Sequence, residues 1–224
     1  MIIKAALGVR AGSQRVKNKN MRPFAGSSLL EIKVKQLRRI KGLDGIVVSS
    51  DSDEMLKIAA DNGAETIKRD AYYASSTVSI NETWEDMAKH IDADVIVYTT
   101  ATNPLLCDET IEKMMDEYMR LPPEFDSLNS ATPVKEFLWK DTKAINYDPR
   151  HMPKSQDLPN ILALNFAVNI LKRETMIKAR SIIGFAPCLY PIDEIEATDI
   201  DNEIDFDFAE FMYKRRNDLW PYVY

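Results

Sequence analysis

Between Arg10 and Arg22 the chain carries five basic residues (Arg10, Arg15, Lys17, Lys19, Arg22) and no acid. Guanidinium and ammonium groups at this density in one short segment neutralise anions, phosphate oxygens above all. Gly12 and Ser13, inside the segment, can turn backbone N–H groups toward the same anion. Near the other end of the chain, Asp193 to Asp207 holds eight acids and no base. In Glu196-Ala197-Thr198-Asp199-Ile200-Asp201 an extended backbone puts Asp199 and Asp201 on one side. Paired carboxylates, completed by phosphate oxygens and water, are what Mg²⁺ prefers. If the two segments met, they would form a site for a phosphate and a divalent cation. On charge alone, two solvated faces are the simpler account. The acid pair also reads as a solvated turn before the last helix, with Asp205 and Asp207 as caps or dipole partners.

Composition narrows the alternatives. The chain has 224 residues, 45% hydrophobic and 29% charged, enough for one full core. Its net charge of −6 argues against a general nucleic-acid surface. Seven glycines are about half the usual frequency. Nothing reads GxxxxGK[ST], and Gly8 with Gly12 does not make GxGxxG, so Walker and dinucleotide cradles are missing and a dehydrogenase fits worst. Cys107 and Cys188 lack CxxC partners and read as buried reduced thiols. The apolar run Ile2 to Val9 is too short for a signal-peptide core or for the roughly 20 residues of a membrane span. A cytoplasmic chain with no membrane partner is expected.

These residues need a scaffold, and the hydrophobic pattern supplies one. Ile2 to Val9, Ile46 to Ser50, Glu65 to Lys68 and Asp94 to Thr99 read as strands. Leu29 to Ile40, Asp53 to Asn62, Ile80 to His90, Asp108 (as cap) to Arg120 and Ile204 to Arg216 read as helices. Lys33, Lys35, Arg38 and Arg39 are expected on the polar face of the first helix. Alternating strands and helices predict an α/β fold with a mainly parallel sheet, whose first loop, Arg10 to Asn20, is a privileged ligand site. Ser127 to Thr132 and Ala163 to Leu171 are further strands. Between them, residues 135–160 form an aperiodic insertion, expected to be a dimerisation or substrate-lid element of a single 1–224 domain. Trp84, Trp139 and the aromatic residues of the last helix are expected to pack, and Trp220 to make a docking or dimer contact. His90 reads as a surface residue; His151, beside Arg150 in the insertion, is better placed for substrate contact, although a residue without such contact is the simpler reading.

Five motifs stand in order along the chain: Arg10-x-Gly12-Ser13 with Lys19-Asn20, Ser49-Ser50-Asp51, Thr102-Asn103-Pro104-Leu105, Ser155-Gln156-Asp157-Leu158-Pro159 and Asp199-Ile200-Asp201. This series resembles the cytidylyltransferase family of CMP-sugar-acid synthetases, which includes acylneuraminate cytidylyltransferase, from Ile2 to about Lys214. The resemblance implies a Rossmann-like nucleotidyltransferase fold with a small dimerisation element. It also implies transfer of CMP from CTP to a nonulosonic sugar acid, with Mg²⁺ and release of pyrophosphate, for surface glycan synthesis by a homodimer. On this resemblance Arg10, Ser13, Lys19 and Asn20 hold the triphosphate, and Arg69 and Ser79 lie near the cytosine. Gln156 and Asn165 bind the acceptor, and Asp199 and Asp201 hold the metal. Arg10, Lys19 and Asp201 would be catalytic, offsetting charge on the leaving pyrophosphate and, through the metal, activating the attacking hydroxyl.

The chain departs from the family pattern at Gln14 (Lys in the family), at Thr100 (Gln) and at Phe166, where Asn-Gly becomes Asn165-Phe166. An Arg-rich stretch is thinned to Arg150, His151 and Lys154. These departures leave two further readings open: a cytidylyltransferase for another acidic or phosphorylated acceptor, and a nucleotide-binding homologue without turnover.

Overall fold

The computed structural model describes residues 1–13, 15–75 and 77–219. Gln14 and Trp220, for which the sequence raises expectations, lie outside the described residues. Seven strands form the main sheet: β1 (Ile3–Gly8), β2 (Gly45–Ser50), β3 (Glu65–Lys68), β4 (Val95–Thr99), β5 (Ser127–Val134), β6 (Ile161–Lys172) and β7 (Pro187–Pro191). Their spatial order is β7-β5-β6-β4-β1-β2-β3. Strand β6 runs antiparallel to β4 and β5, and the remaining neighbours are parallel. The helices are α1 (Leu29–Leu37), α2 (Asp53–Asp61), α3 (Ala71–Ala74), α4 (Ile80–Lys89), α5 (Asp108–Tyr118), α6 (Arg173–Ala179) and α7 (Glu203–Leu219).

The central strands are apolar on both sides because both faces are covered. Ala5, Leu7, Val48 and Val97 pack against Leu30, Val34, Ile111, Met114 and Phe206 on one face. On the other, Ala6, Val47, Ile96 and Tyr98 meet Met87, Ala88, Ile91 and Met176. Register then fixes where the loops open: Leu7 pairs with both Val48 and Thr99, and Gly8 with Ser49. Strands β1, β2 and β4 therefore end at one edge, and the segments after them converge there.

Several local expectations are corrected. Helix α1 stops at Leu37, before Ile40, and Lys33 is fully buried rather than on the polar face. Its ammonium donates to Gln36 Oε1 (2.7 Å) and to the Asn103 carbonyl (2.9 Å), partners that periodicity alone does not reveal. Cys107, not Asp108, holds the N-cap position of α5, without a side-chain cap bond. Asp108 instead accepts from Arg39 (2.8 and 3.1 Å) and Gln36 (3.0 Å). In α7, Phe206 and Ala209 are buried, but Phe208 and Phe211 are exposed.

The insertion is the connection of the antiparallel β5–β6 pair, whose ladder extends to Val134 and Ile161. It holds a small hairpin, Trp139–Lys140 with Lys143–Ala144, and a 3-10 turn at Ser155–Asp157. Trp139 does not pack in the interior. It is half exposed, stands edge-on to Tyr147 and donates its indole N–H to the Tyr147 hydroxyl at 2.8 Å.

Candidate active site

The cleft begins at the end of β1. A Cβ on Gly8 would lie 3.2 Å from Arg69 Nη2 and 3.3 Å from the Tyr98 hydroxyl, so a side chain here would crowd both groups. Arg69 is buried and donates through Nε to Ser49 Oγ (3.2 Å) and through Nη2 to the Ser49 carbonyl (2.9 Å). Burial draws its pKa down, against the opposing pull of Tyr98 and Asp51, and neighbouring Arg10 adds to the fall. A guanidinium nevertheless remains charged.

Hydrogen bonds hold several described residues of the basic segment after β1. Asp51 accepts from the Ala11 N–H at 2.9 Å. Gly12 is left-handed at φ +73°, with open space where a Cβ would stand, so its backbone angle is what calls for glycine. Ser13 Oγ donates to the Val16 carbonyl (2.7 Å) and accepts the Lys19 N–H (2.8 Å), so this hydroxyl sets the position of Lys19. Val16 is buried beneath the turn. Arg10, Ser13, Lys19 and Asn20, together with Thr100 and Thr102, line a cleft of ≈ 220 Å³. The Asn20 Oδ1 is buried in this wall and accepts no hydrogen bond from the described residues.

The acidic segment closes the cleft. Lys19 Nζ donates to the Ile200 carbonyl and lies 3.9 Å from Asp201 Oδ1, which also takes Arg15 Nη2 at 2.9 Å. Burial lowers the Lys19 pKa, while Asp199 and Asp201 pull it back up. Asp199 is exposed by surface area, yet desolvation by the protein around it raises its pKa. The Thr102 hydrogen bond and Lys19 oppose that rise, and the like charges of Asp201 and Asp205 reinforce it. Asp205 Oδ2 accepts from the N–H groups of Asp201 (2.9 Å) and Asn202 (3.0 Å) at the start of α7, the capping role expected of it. The two ends of the chain thus meet around one charge cluster.

This donor set suits Mg²⁺. Asp199 and Asp201 are hard oxygen donors, and a cation between them would relieve the like-charge repulsion that helps hold Asp199's pKa up. Among the described residues no group of three or more His, Cys, Asp or Glu forms a metal cage. Two carboxylates leave the remaining positions to phosphate oxygens and water, the usual division for this ion.

Other expected site residues are placed differently. Ser79 is exposed and caps α4, its Oγ accepting the Asn81 N–H at 3.3 Å. Gln156 is exposed in the 3-10 turn of the insertion. Among the described residues, no hydrogen bond joins either side chain to the cleft. Asn165 sits at an irregularity in the β5–β6 ladder between Leu164 and Asn169. Its Oδ1 accepts from Ser130 Oγ (2.5 Å) and the Ala167 N–H (3.2 Å), and its Nδ2 donates to Thr132 Oγ1 (2.9 Å). Phe166, where the resemblance expects glycine, is left-handed at φ +58°. The backbone keeps a glycine-like conformation under an aromatic side chain, at a cost of about 1 kcal/mol or more. His90 is the exposed C-cap of α4, and His151 is exposed beside Asp148.

Sequence reading placed Asp51, Thr102 and Asn103 in family motifs and Gly8 at a strand end, but gave none of them a contact in the site. The signals were present as a glycine closing a strand, an Asp after Ser49-Ser50 and an Asn before Pro104, but only tertiary contacts give them meaning. Among the described residues, no helix is long and apolar enough to cross a membrane.

Known proteins resemble this chain in sequence and in fold. The chain is 28% identical to post-translational flagellin modification protein B of Campylobacter coli, covering 96% of each chain. It is 26% identical to CMP-N,N'-diacetyllegionaminic acid synthase of Campylobacter jejuni, again over 96% of each. In fold it matches the CTP complex of CMP:2-keto-3-deoxy-manno-octonic acid synthetase with a TM-score of 0.69 at 11% identity, over 96% of this chain and 100% of that one. The family model for cytidylyltransferase matches residues 2–158, and the chain belongs to that family of nucleotidyltransferase enzymes.

Proposed function

We propose that this protein transfers CMP from CTP to a sugar acid of the nonulosonate type, releasing pyrophosphate. The observation that carries the reading is the meeting of Lys19 with Asp199 and Asp201 at the mouth of a preformed basic loop. Family membership and the legionaminate relative support CTP and a sugar acid as the substrates. Arg10 and Lys19 bind the triphosphate and offset negative charge on the leaving pyrophosphate. Ser13 acts through its hold on Lys19, and Asn20 offers in the wall an acceptor that no described residue uses. Arg69, fixed beneath Gly8, borders the base end of the nucleotide, with Ser79 beyond it. Asp199 and Asp201 hold Mg²⁺, which when bound neutralises phosphate charge and makes the acceptor hydroxyl more acidic. In-line displacement requires little else than this positioning and charge.

The acceptor is placed on the β5–β6 side, with Asn165 and the insertion residue Gln156. The left-handed Phe166 favours one variation on this reading, an acidic acceptor differing from the common nonulosonates. We assign residues 135–160, within a single domain, to homodimer contact, supported by the exposure of Trp139, Ile145 and Met152. The reaction is placed in the cytoplasm, before assembly of a surface glycan. The test is pyrophosphate release with Mg²⁺, each of four nucleoside triphosphates and a panel of sugar acids. CTP-specific release with one acid is expected. Preference for ATP or UTP contradicts the cytidylyl assignment, and CTP binding without release for any acceptor favours a homologue that has lost turnover.

A further inference from the structure

The two carboxylates are not carried by a regular element. Asp199 and Asp201 lie in the segment between β7 and α7 that has no strand or helix of its own, so their placement depends on what grips that backbone. The grip comes from the turn after β4. Asn103 is 1% exposed. Its Nδ2 donates to the carbonyls of Ala197 (3.3 Å) and Thr198 (2.9 Å), and its Oδ1 accepts the Thr100 hydroxyl. Beside it, the Ile200 N–H donates to the Thr102 carbonyl at 3.0 Å. Lys19 holds the Ile200 carbonyl from the opposite side.

We propose that Asn103 is a positioning residue: its amide clamps the 197–198 backbone onto the Thr100–Thr102 cleft wall and so sets Asp199 and Asp201 at the cleft. This rests on the function proposed above. The residue type is demanded by the geometry, since one side chain must accept one bond and donate two at a buried point, which a carboxamide does and a hydroxyl does not. The clamp is itself anchored: the Asn103 carbonyl accepts from the buried Lys33 of α1, and Pro104 biases the preceding residue away from helical backbone. Thr100 and Thr102, which line the cleft, and the acid segment are thereby held as one unit.

The test compares wild type with Asn103→Ser and Asn103→Ala, each first shown to be folded by circular dichroism. Hydrogen exchange reads the clamp directly. The Ile200 amide is expected to exchange at least tenfold faster in both variants, while the Leu7 amide in β1 keeps its protection. Mn²⁺ binding, read by electron paramagnetic resonance with saturating CTP, is expected to weaken about tenfold. In turnover, kcat should fall, KM for CTP should change less than twofold, and raising Mg²⁺ should partly restore the rate. A residue that merely fills the core would lower the melting temperature and move none of these. Wild-type protection of Ile200, or wild-type Mn²⁺ affinity in a folded variant, overturns the proposal. The two ideas fail separately: absence of pyrophosphate release by the wild type sinks the function, whereas slow Ile200 exchange in Asn103→Ser sinks the clamp.

Discussion

The edge formed by β1, β2 and β4 differs in kind from the β5–β6 side of the same sheet. At the first, the cleft residues Ser13, Lys19 and Thr100 are tied to named partners, and Ala11 is bonded to Asp51 after β2. At the second, the ladder is irregular, Phe166 is held in a conformation suited to glycine, and Phe137, Trp139, Ile145 and Met152 are exposed. A triphosphate has fixed charge and shape, so one cradle can serve enzymes whose acceptors differ. On the function proposed above the acceptor varies, and the side proposed to face it holds a strained, bulky residue. Departures from the family pattern fall on both sides: Gln14, in the segment after β1, and Thr100 belong to the first edge, which keeps Arg10, Lys19, Asn20, Asp199 and Asp201, and Phe166 and the thinned Arg150 stretch belong to the second.

The contrast can be broken or sharpened by substitution. The largest effect belongs to Lys19→Met, which removes a half-buried cation set against the acid segment and proposed above to bind the triphosphate. Turnover should fall about 100-fold or more, and a loss below tenfold in a rate assay would deny Lys19 its role. Next is Gly8→Ala, whose methyl crowds Arg69 and Tyr98. It should cost about 1–3 kcal/mol in denaturant unfolding and raise KM for CTP while leaving KM for the acid alone. On the other side, Phe166→Gly should stabilise the fold by about 1 kcal/mol through relief of left-handed strain, with KM changed for the acid and not for CTP. A destabilised variant would show that the Phe166 ring earns its place by packing. Smallest is Ser79→Ala, which removes a helix cap worth about 0.5–1 kcal/mol. A large rise in KM for CTP beyond that loss would show that Ser79 also reaches the nucleotide.

Much of the first region was legible in the sequence. The runs Ile2 to Val9, Ile46 to Ser50 and Asp94 to Thr99 became β1, β2 and β4 with small shifts at their ends, because strands buried on both faces read as unbroken apolar segments. The basic loop and the acid pair stood out by charge, and the structure brings them together. Other features left no local signal. The burial of Lys33 depends on a carbonyl 70 residues away, and Asp108 serves Arg39 rather than its own helix end for the same long-range reason. Strand β7 begins and ends with proline and helix α6 has seven residues, so neither offers a clear period. The left-handed backbone at Phe166 could not be read from its residue type, since an aromatic side chain argues against it.

The central claim is that Asp199 and Asp201 act with Lys19 as one phosphate-and-cation site. Asp201→Ala tests it most directly, because Asp201 is half exposed and its ion pair with the exposed Arg15 contributes little to stability. With CTP, an accepted sugar acid and saturating Mg²⁺, the variant should retain a wild-type-like melting temperature and lose at least about 100-fold in pyrophosphate release. Wild-type turnover under those conditions would contradict the account.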